Sequence, residues 1–189
     1  VRVRARVMDG GRVLLTREGV PDARRDVRLD GTVPAVRAWS AETPELYTLL
    51  VELLDAEGRV VEATTRRIGF RTVAVEGGAV RVNGRRITIR GVNRHEHDPH
   101  TFRIVSDATL RRDLELMKAA NVNALRLSHY PNDPRIYDLA DQVGLYVMDE
   151  ANIETHGYLA KAQASGDFKG TLLGYKPEWK AAHLDRVER

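Results

Sequence analysis

Cysteine is absent from this 189-residue sequence, which excludes disulfide bonds, zinc sites with thiolate ligands and a cysteine nucleophile. The absence fits a reducing compartment, and we expect a cytoplasmic protein. No apolar run approaches the roughly 18 residues that a membrane helix needs, and the strictly alternating first residues are not those of a signal peptide. The sequence therefore predicts a protein without a membrane partner.

Aromatic residues and excess charge are also scarce. Aromatic residues make up 6% of the sequence, and the formal net charge is only +3, because 27 acidic residues nearly balance 30 basic ones. The basic residues are spread along the chain and form no stripe, so we expect no nucleic-acid partner. With 42% hydrophobic and 30% charged residues, the composition is that of an ordinary globular protein.

The first 75 residues are dominated by the two-residue period of β-strands. In "VRVRARV", small apolar residues alternate with Arg2, Arg4 and Arg6, which places the two sets on opposite faces of a strand. The turn "DGG" and the stretches "LYTLLVELL" and "RVVEATTRRIGF" continue a pattern of short strands. Such spacing is typical of an antiparallel sandwich, and we predict an immunoglobulin-like β-sandwich over residues 1–75.

From residue 76 onward the pattern changes to alternating strands and helices. The stretch "AVRVNGRRITIRGV" predicts a hairpin with its turn at "NG", and Ser106 is a candidate N-cap of a following helix. "NALRLSH" predicts a short strand, "PNDPRIYDLADQVG" a second helix that ends at Gly144, and "LYVMDE" a third strand. This order indicates parallel βα units, so we predict that residues 76–189 hold the first three units of a (β/α)8 TIM barrel. The predicted fold class is thus multidomain, β followed by α/β.

The segment after the third strand has no clear period until its end. Residues 158–176 are predicted to form a loop that wraps over the mouth of the barrel, where long loops are often functional. "PEWKAAHLDRVER" then predicts a further helix.

Polar residues follow each of the three predicted parallel strands. In chain order, these residues are Asn93, Arg94, His95 and Glu96, then Arg126, Ser128 and His129, then Asp149, Glu150, Asn152, Glu154 and His156. In a TIM barrel, side chains at the carboxyl ends of the strands converge on the active site. We therefore predict that these residues surround one site.

The residue types alone leave several kinds of site open. The three histidines and one glutamate of "NRHEHDPH" fit a metal cluster, a catalytic site or a surface loop. Glu154 and His156 lie on one side if the chain is extended, and their donors suit a hard or borderline divalent ion, although a structural role fits equally well. A catalytic pair of Glu150 and Glu154 is disfavoured, since extended chain would separate their Cα atoms by about 13 Å.

The stretches "IRGVNRHEHDPH", "SHYPN" and "DEANIETHG", with the upstream "WSAETPELYTLLVEL", resemble the β-galactosidases of glycoside hydrolase family 2. The resemblance extends from about Trp39 to Gly157, and "SHYPN" together with "DEANIETHG" is highly specific. The related β-glucuronidases are similar around "RGVNRHE" and "SHYP" but carry a different sequence after "DE". The galactosidase branch is therefore the better match.

The resemblance implies a retaining glycosidase whose two catalytic glutamates lie elsewhere. The family's acid/base glutamate belongs to a "GNE" motif after the fourth barrel strand, and its nucleophile follows several strands later. Neither motif occurs before Arg189. No catalytic residue is therefore assigned, and we expect this chain alone to be inactive.

Other residues around the family's active site do match positions in this sequence. The resemblance implies that His95 and His129 bind the galactosyl hydroxyls. It implies that Glu154 and His156 are ligands of an active-site Mg²⁺ ion, whose third protein ligand is the missing acid/base glutamate. Supporting roles are implied for Arg126, Asn93, Glu96, Glu150 and Asn152. For "NRHEHDPH", the resemblance thus favours a sugar-binding histidine over a metal cluster.

The implied function is that of part of an enzyme that hydrolyses terminal β-D-galactosyl residues in β-galactosides such as lactose. The expected partners are the remainder of the enzyme chain and, for the parent enzyme, further copies in a homo-oligomer. Two alternatives stay open, a non-catalytic carbohydrate-binding or complementing fragment and a relative of the β-glucuronidases. Half of a closed barrel leaves apolar faces uncovered, so we also predict marginal stability for residues 76–189 unless a partner covers these faces.

Overall fold

In the computed structural model, residues 1–188 are described and pack into two compact units. The first unit comprises Val1–Ile89 together with Asp138–Leu145. The second comprises Arg90–Tyr137 and the residues from Tyr146 onward. The domain boundary near residue 75 stays a prediction.

The first unit is built from two antiparallel sheets. The larger sheet contains β1 (Arg2–Asp9), β2 (Arg12–Gly19), β3 (Tyr47–Leu54) and β4 (Val60–Ile68) in the order β2-β1-β3-β4. The smaller sheet contains β5 (Val73–Glu76), β6 (Ala79–Val82) and β7 (Arg85–Arg86). The predicted hairpin turn lies between β6 and β7, where Asn83 and Gly84 both have positive φ, 51° and 75°.

The arginines of β1 lie on one face of the larger sheet, as their alternation predicts. Arg4 is directly opposite Glu52 in the register of β1 and β3. Glu52 is 5% exposed and accepts hydrogen bonds from Arg4 Nε at 2.8 Å and from Arg6 Nη2 at 2.7 Å. These bonds, the one from Arg4 first, lower the pKa of Glu52 below its usual value. Pairing compensates the cost of burying the carboxylate.

Trp39 anchors the core of the first unit and is 1% exposed. Its indole Nε1 donates to the backbone oxygen of Asp141 at 2.8 Å, and its own backbone oxygen accepts from Asn83 Nδ2 at 3.0 Å. Gly69 lies so close to the indole that a Cβ at this position would be 2.9 Å from Trp39 Cβ. Only glycine therefore fits at residue 69 without movement of the tryptophan.

The second unit contains a parallel three-stranded sheet in the order β10-β9-β8. The strands β8 (Gly91–Arg94), β9 (Ala124–Leu127) and β10 (Tyr146–Met148) alternate along the chain with α1 (Asp107–Ala119) and α2 (Arg135–Val143). Ser106 caps α1 as predicted, since its hydroxyl oxygen accepts from Thr109 N at 3.2 Å. The chain thus has antiparallel β-sandwich sheets followed by a parallel β/α segment, which confirms the predicted fold class.

The prediction of a loop over residues 158–176 is wrong. This part of the chain and the residues after it form α3 (His156–Ser165), α4 (Phe168–Thr171), 3₁₀ turns at Leu173–Tyr175 and Pro177–Trp179, and α5 (Lys180–Glu188). Ala162 is the one buried residue of α3, so this helix lacks the apolar stripe that a sequence pattern reveals. The predicted terminal helix is confirmed by α5. Within residues 1–188, none of the helices has the length and apolarity to cross a membrane.

Candidate active site

The parallel register brings the predicted polar residues to one edge of the sheet. Asn93, Arg126 and Met148 lie side by side on β8, β9 and β10. Each strand ends at this level or one residue later, so the segments that follow all leave the sheet at its carboxyl edge. In barrels built from such units, this is the edge that carries the site.

A cleft of about 1330 Å³ opens at this edge. The predicted site residues that line it are Arg126, His129, Asp149, Glu150, Asn152 and Glu154. Its wall does not include Asn93, His95, Glu96 and His156. The structure therefore gathers most of the predicted residues of the β9 and β10 ends around one concave surface, while those of the β8 end are not part of its wall.

Glu150 links two of the predicted site residues. Its side chain is 21% exposed, Oε1 forms an ion pair with Arg126 Nε, and Oε2 lies 2.9 Å from Nδ1 of His129. The hydrogen bond with His129, and next the one with Arg126, lower the pKa of the Glu150 carboxyl. Arg126 is thereby paired, which the partial burial of a guanidinium requires.

Arg94 is 5% exposed and connects β8 with α1 and with the "SHYPN" segment that contains His129. Its Nε donates to Asp113 Oδ2 at 3.0 Å and its Nη1 donates to Asn132 Oδ1 at 3.4 Å. Its backbone oxygen accepts from Ser128 N at 3.2 Å. Arg94 therefore ties β8 to α1 and to the "SHYPN" segment.

His95 and Glu96, which directly follow β8, contact the same segment. The ring of His95 lies 5.5 Å from that of His129, centroid to centroid, at an angle of 81°. Glu96 Oε1 accepts from Asp133 N at 2.8 Å, and Glu96 N donates to the hydroxyl oxygen of Tyr130 at 3.0 Å. Glu96 thus braces the "SHYPN" segment, while the two histidine rings form a T-shaped contact.

The predicted metal ligands are adjacent in the structure. Glu154 Oε1 lies 3.3 Å from Nε2 of His156, and their side chains are 43% and 77% exposed. Residues 1–188 contain no group of three or more His, Cys, Asp or Glu residues that could hold a metal ion. The pair offers one oxygen and one nitrogen donor, which fits Mg²⁺ only as part of a shell, since this ion commonly keeps several waters and binds one or two carboxylates.

Two contacts of the cleft were not predicted from the sequence. Tyr137 donates its hydroxyl proton to Asp149 Oδ2 at 2.7 Å, and burial, followed by this bond, raises the pKa of Tyr137. Arg186 of α5 donates from Nη1 to Asn152 Oδ1 at 3.0 Å. All four residues line the cleft. No spacing rule points to Arg186, because it lies 34 positions from its partner on a helix without an apolar stripe.

Two family models match the chain. The model described as "Glycosyl hydrolases family 2, TIM barrel domain" matches residues 73–189, and the one described as "Glycosyl hydrolases family 2" matches residues 7–71. Together they span nearly the whole sequence.

Similar proteins are found among curated sequences and solved structures. The chain is 45% identical over 179 residues to a β-galactosidase of Aeromonas hydrophila, which covers 95% of this chain and 16% of that relative. It is 48% identical over 148 residues to a β-galactosidase of Photobacterium profundum, with 78% and 14% covered. A β-glucuronidase structure from Ruminococcus gnavus in complex with D-glucuronic acid matches with a TM-score of 0.70 and 31% identity, over 79% of this chain and 25% of that one. The chain thus spans about a sixth of the length of these curated relatives.

Proposed function

The chain belongs to family 2 of the glycosyl hydrolases, and we propose that it supplies the sugar-binding part of a retaining β-galactosidase active site. The substrates are β-galactosides such as lactose, from which the enzyme removes terminal β-D-galactosyl residues. The main support is the cleft at the carboxyl edge of three parallel strands, where Arg126, His129 and Glu150 form one hydrogen-bonded network. The curated relatives named β-galactosidases point to the same substrate class.

His95 and His129 bind hydroxyl groups of the galactosyl ring. Their rings lie 5.5 Å apart, so they can reach neighbouring hydroxyls of a single pyranose. A retaining glycosidase passes through a transition state with oxocarbenium character. Hydrogen bonds from the sugar hydroxyls to the imidazoles strengthen as this positive charge develops, and they therefore bind the transition state more tightly than the substrate.

The supporting residues hold these two histidines and the cleft wall in place. Glu150 and Arg126 act on His129, and Glu96 holds the "SHYPN" segment through the hydroxyl of Tyr130 and the backbone N of Asp133, which follows it. Asn152 is held by Arg186 at the cleft wall. Asn93 on β8 is exposed. It lies opposite Arg126 of β9 in the register and faces the same side of the sheet as Arg126.

Glu154 and His156 would hold a Mg²⁺ ion together with a further ligand from the remainder of the enzyme. When bound, such an ion supplies positive charge that lowers the pKa of a neighbouring carboxyl group. Two exposed donors form an incomplete site, so we expect weak binding of Mg²⁺ by this chain.

The catalytic pair comes from outside this chain. A retaining glycosidase needs two carboxyl groups about 5–5.5 Å apart, one as acid/base and one as nucleophile. Glu150 is engaged by Arg126 and His129, and the sequence has no "GNE" motif. We therefore expect that this chain binds the sugar without cleaving it.

We expect the purified chain not to hydrolyse a chromogenic β-galactoside, either with or without Mg²⁺. Hydrolysis that disappears in a Glu154→Gln variant would contradict our view that the catalytic glutamates lie outside the chain.

Binding is examined by ligand-observed NMR with a β-galactoside and a β-glucuronide of the same aglycone. We expect binding of the galactoside, its loss in His129→Gln, and its retention in the matched control His100→Gln, since His100 is exposed outside the cleft. Preference for the glucuronide would favour the second candidate, a β-glucuronidase relative, which the similarity to the Ruminococcus gnavus structure supports. Equal loss in both variants would contradict the role of His129.

A further inference from the structure

We propose that Glu150 is a positioning residue that, together with Arg126, fixes the tautomer of His129. In this tautomer the ring proton is on Nδ1, and the bare Nε2 is presented to the cleft as a hydrogen-bond acceptor. The inference rests on the proposed function, because it specifies how His129 interacts with a sugar hydroxyl. The proposal is tested by measuring the tautomer of His129 directly, and this measurement does not depend on sugar binding.

The geometry places one carboxylate between two partners. Arg126 forms the ion pair with Oε1 of Glu150, and His129 Nδ1 lies 2.9 Å from Oε2. A guanidinium has only donors, so its position commits Oε1 to accepting. The remaining oxygen is therefore the one that His129 meets.

The charge of Glu150 decides what His129 does at this contact. Hydrogen bonds from His129 and Arg126 lower the pKa of Glu150, so the carboxyl group is ionised at neutral pH. An ionised carboxylate has no proton to donate and can only accept. Nδ1 of His129 must then carry the proton, and a neutral imidazole with its proton on Nδ1 has a bare Nε2.

The surroundings leave Nε2 available for a ligand. His129 lines the cleft, its side chain is 29% exposed, and Nε2 makes no hydrogen bond within residues 1–188. The charged or titratable groups that face the ring are Arg126, Glu150 and the imidazole of His95. A sugar hydroxyl at this position therefore donates its proton to Nε2, and its oxygen is left to accept from another donor.

Substitution of Glu150 by glutamine should reverse the tautomer. The amide oxygen must take the place of Oε1 beside Arg126, because Arg126 can only donate. The amide NH₂ group then faces His129 and donates to Nδ1. The proton of a neutral His129 is consequently displaced to Nε2, and the cleft gains a donor in place of an acceptor.

The test is a long-range ¹H–¹⁵N correlation spectrum of the whole chain with ¹⁵N-labelled histidine at neutral pH. This experiment distinguishes the two neutral tautomers, and the signals of His129 are identified by their loss in His129→Gln. We expect the Nδ1-protonated form in the wild type and the Nε2-protonated form in Glu150→Gln. An Nε2-protonated His129 in the wild type would by itself overturn the proposal, whether or not the variant folds.

Glu154→Gln is the matched control, because it removes the same charge from the same segment but contacts His156 instead of His129. We expect no change of the His129 tautomer in this control. A wild-type tautomer that persists in a folded Glu150→Gln would overturn the role of Glu150. The expected spectra combined with absent galactoside binding would uphold the tautomer assignment and count against the proposed function alone.

Discussion

Two carboxylates of this protein, Glu52 and Glu150, are each shared by two nitrogen donors from neighbouring segments. Glu52 joins two arginines across the first sheet, and Glu150 joins Arg126 to His129 in the cleft. In both cases the hydrogen bonds lower the pKa of the carboxyl group. The same arrangement stabilises the first unit at Glu52 and orients a candidate sugar-binding residue in the second unit at Glu150.

Replacement of Glu52 by glutamine should lower stability at neutral pH by about 1–3 kcal/mol, the usual effect of losing hydrogen bonds to a charged group. The folded pKa of Glu52 lies below its ordinary value of 4.5. The carboxylate therefore stabilises the fold above pH 4.5, and this contribution is lost as the pH falls through the lower folded value. Urea denaturation of Glu52→Gln should show a smaller loss of stability below pH 4.5 than the wild type.

The exposed Glu62 of β4 provides the control for this measurement. Glu62→Gln should leave both the stability at neutral pH and its acid dependence close to those of the wild type. An equal effect of the two substitutions would mean that the contacts of Glu52 with Arg4 and Arg6 contribute nothing specific.

Leu110 and Leu116 of α1 make a matched pair for the packing of the second unit. Leu110 is 0% exposed and Leu116 is 50% exposed. Leu110→Ala should cost about 2–5 kcal/mol, because a buried cavity adds to the lost transfer free energy. Leu116→Ala should cost less than about 1 kcal/mol. Chemical denaturation followed by circular dichroism measures both, and similar losses would show that α1 does not bury the face that carries Leu110.

At the scale of elements, the end of α2 depends on a glycine. Gly144 has a φ of +83°, and a Cβ at this position would lie 2.4 Å from the backbone oxygen of Ala41. Gly144→Ala should therefore destabilise the protein by more than about 2 kcal/mol, through the left-handed backbone and the displaced carbonyl. Thermal unfolding detects the change.

Gly157 in the first turn of α3 is the control, since a Cβ at this position meets nothing within 4 Å and its φ is not positive. Gly157→Ala should leave stability unchanged or raise it by up to about 1 kcal/mol, because alanine favours helices. If both alanine variants unfold at the same temperature, the conformation of residue 144 is not the reason that glycine is needed.

Elements with strong local signals could be predicted from the sequence, and elements without them could not. The cap at Ser106 and the turn at Asn83 and Gly84 appear where "SDATL" and "NG" place them. The helix α3 was missed because its stability comes from few buried side chains, so no apolar period marks it. Local chemistry fixes caps and turns, whereas packing decides whether a weakly amphipathic segment is helical.

The site shows the same division. Polar residues that belong to or follow β9 and β10 line the cleft, because parallel strands deliver their carboxyl ends to one edge, whereas those at the end of β8 are not part of its wall. Which side chains contact each other could not be predicted, because the link from Arg126 through Glu150 to His129 depends on rotamers and on strand register. Arg186 is the clearest case, since its contact with Asn152 joins segments 34 residues apart that share no sequence pattern.

At the scale of the whole molecule, the second unit exposes strand edges and apolar side chains. Within residues 1–188, β8 and β10 each pair on one side only, because β9 lies between them. Met148 at the end of β10 is 56% exposed, and Phe168 and Trp179 are 45% and 41% exposed. Open strand edges and exposed apolar side chains each favour association with another chain. The marginal stability of residues 76–189 stays a prediction. Association through the same exposed surfaces can be measured directly.

Self-association should follow from the open edge of β10. We expect the sedimentation coefficient of the purified chain to rise with concentration, and Met148→Lys to weaken this rise, because a charged side chain on an edge strand opposes further pairing. The matched control is Ile104→Lys, which places the same charge at an 80% exposed residue outside any strand. The control should associate as the wild type does. A wild-type monomer at all concentrations would show that the open edges do not drive association, and it would also argue against the complementing-fragment alternative.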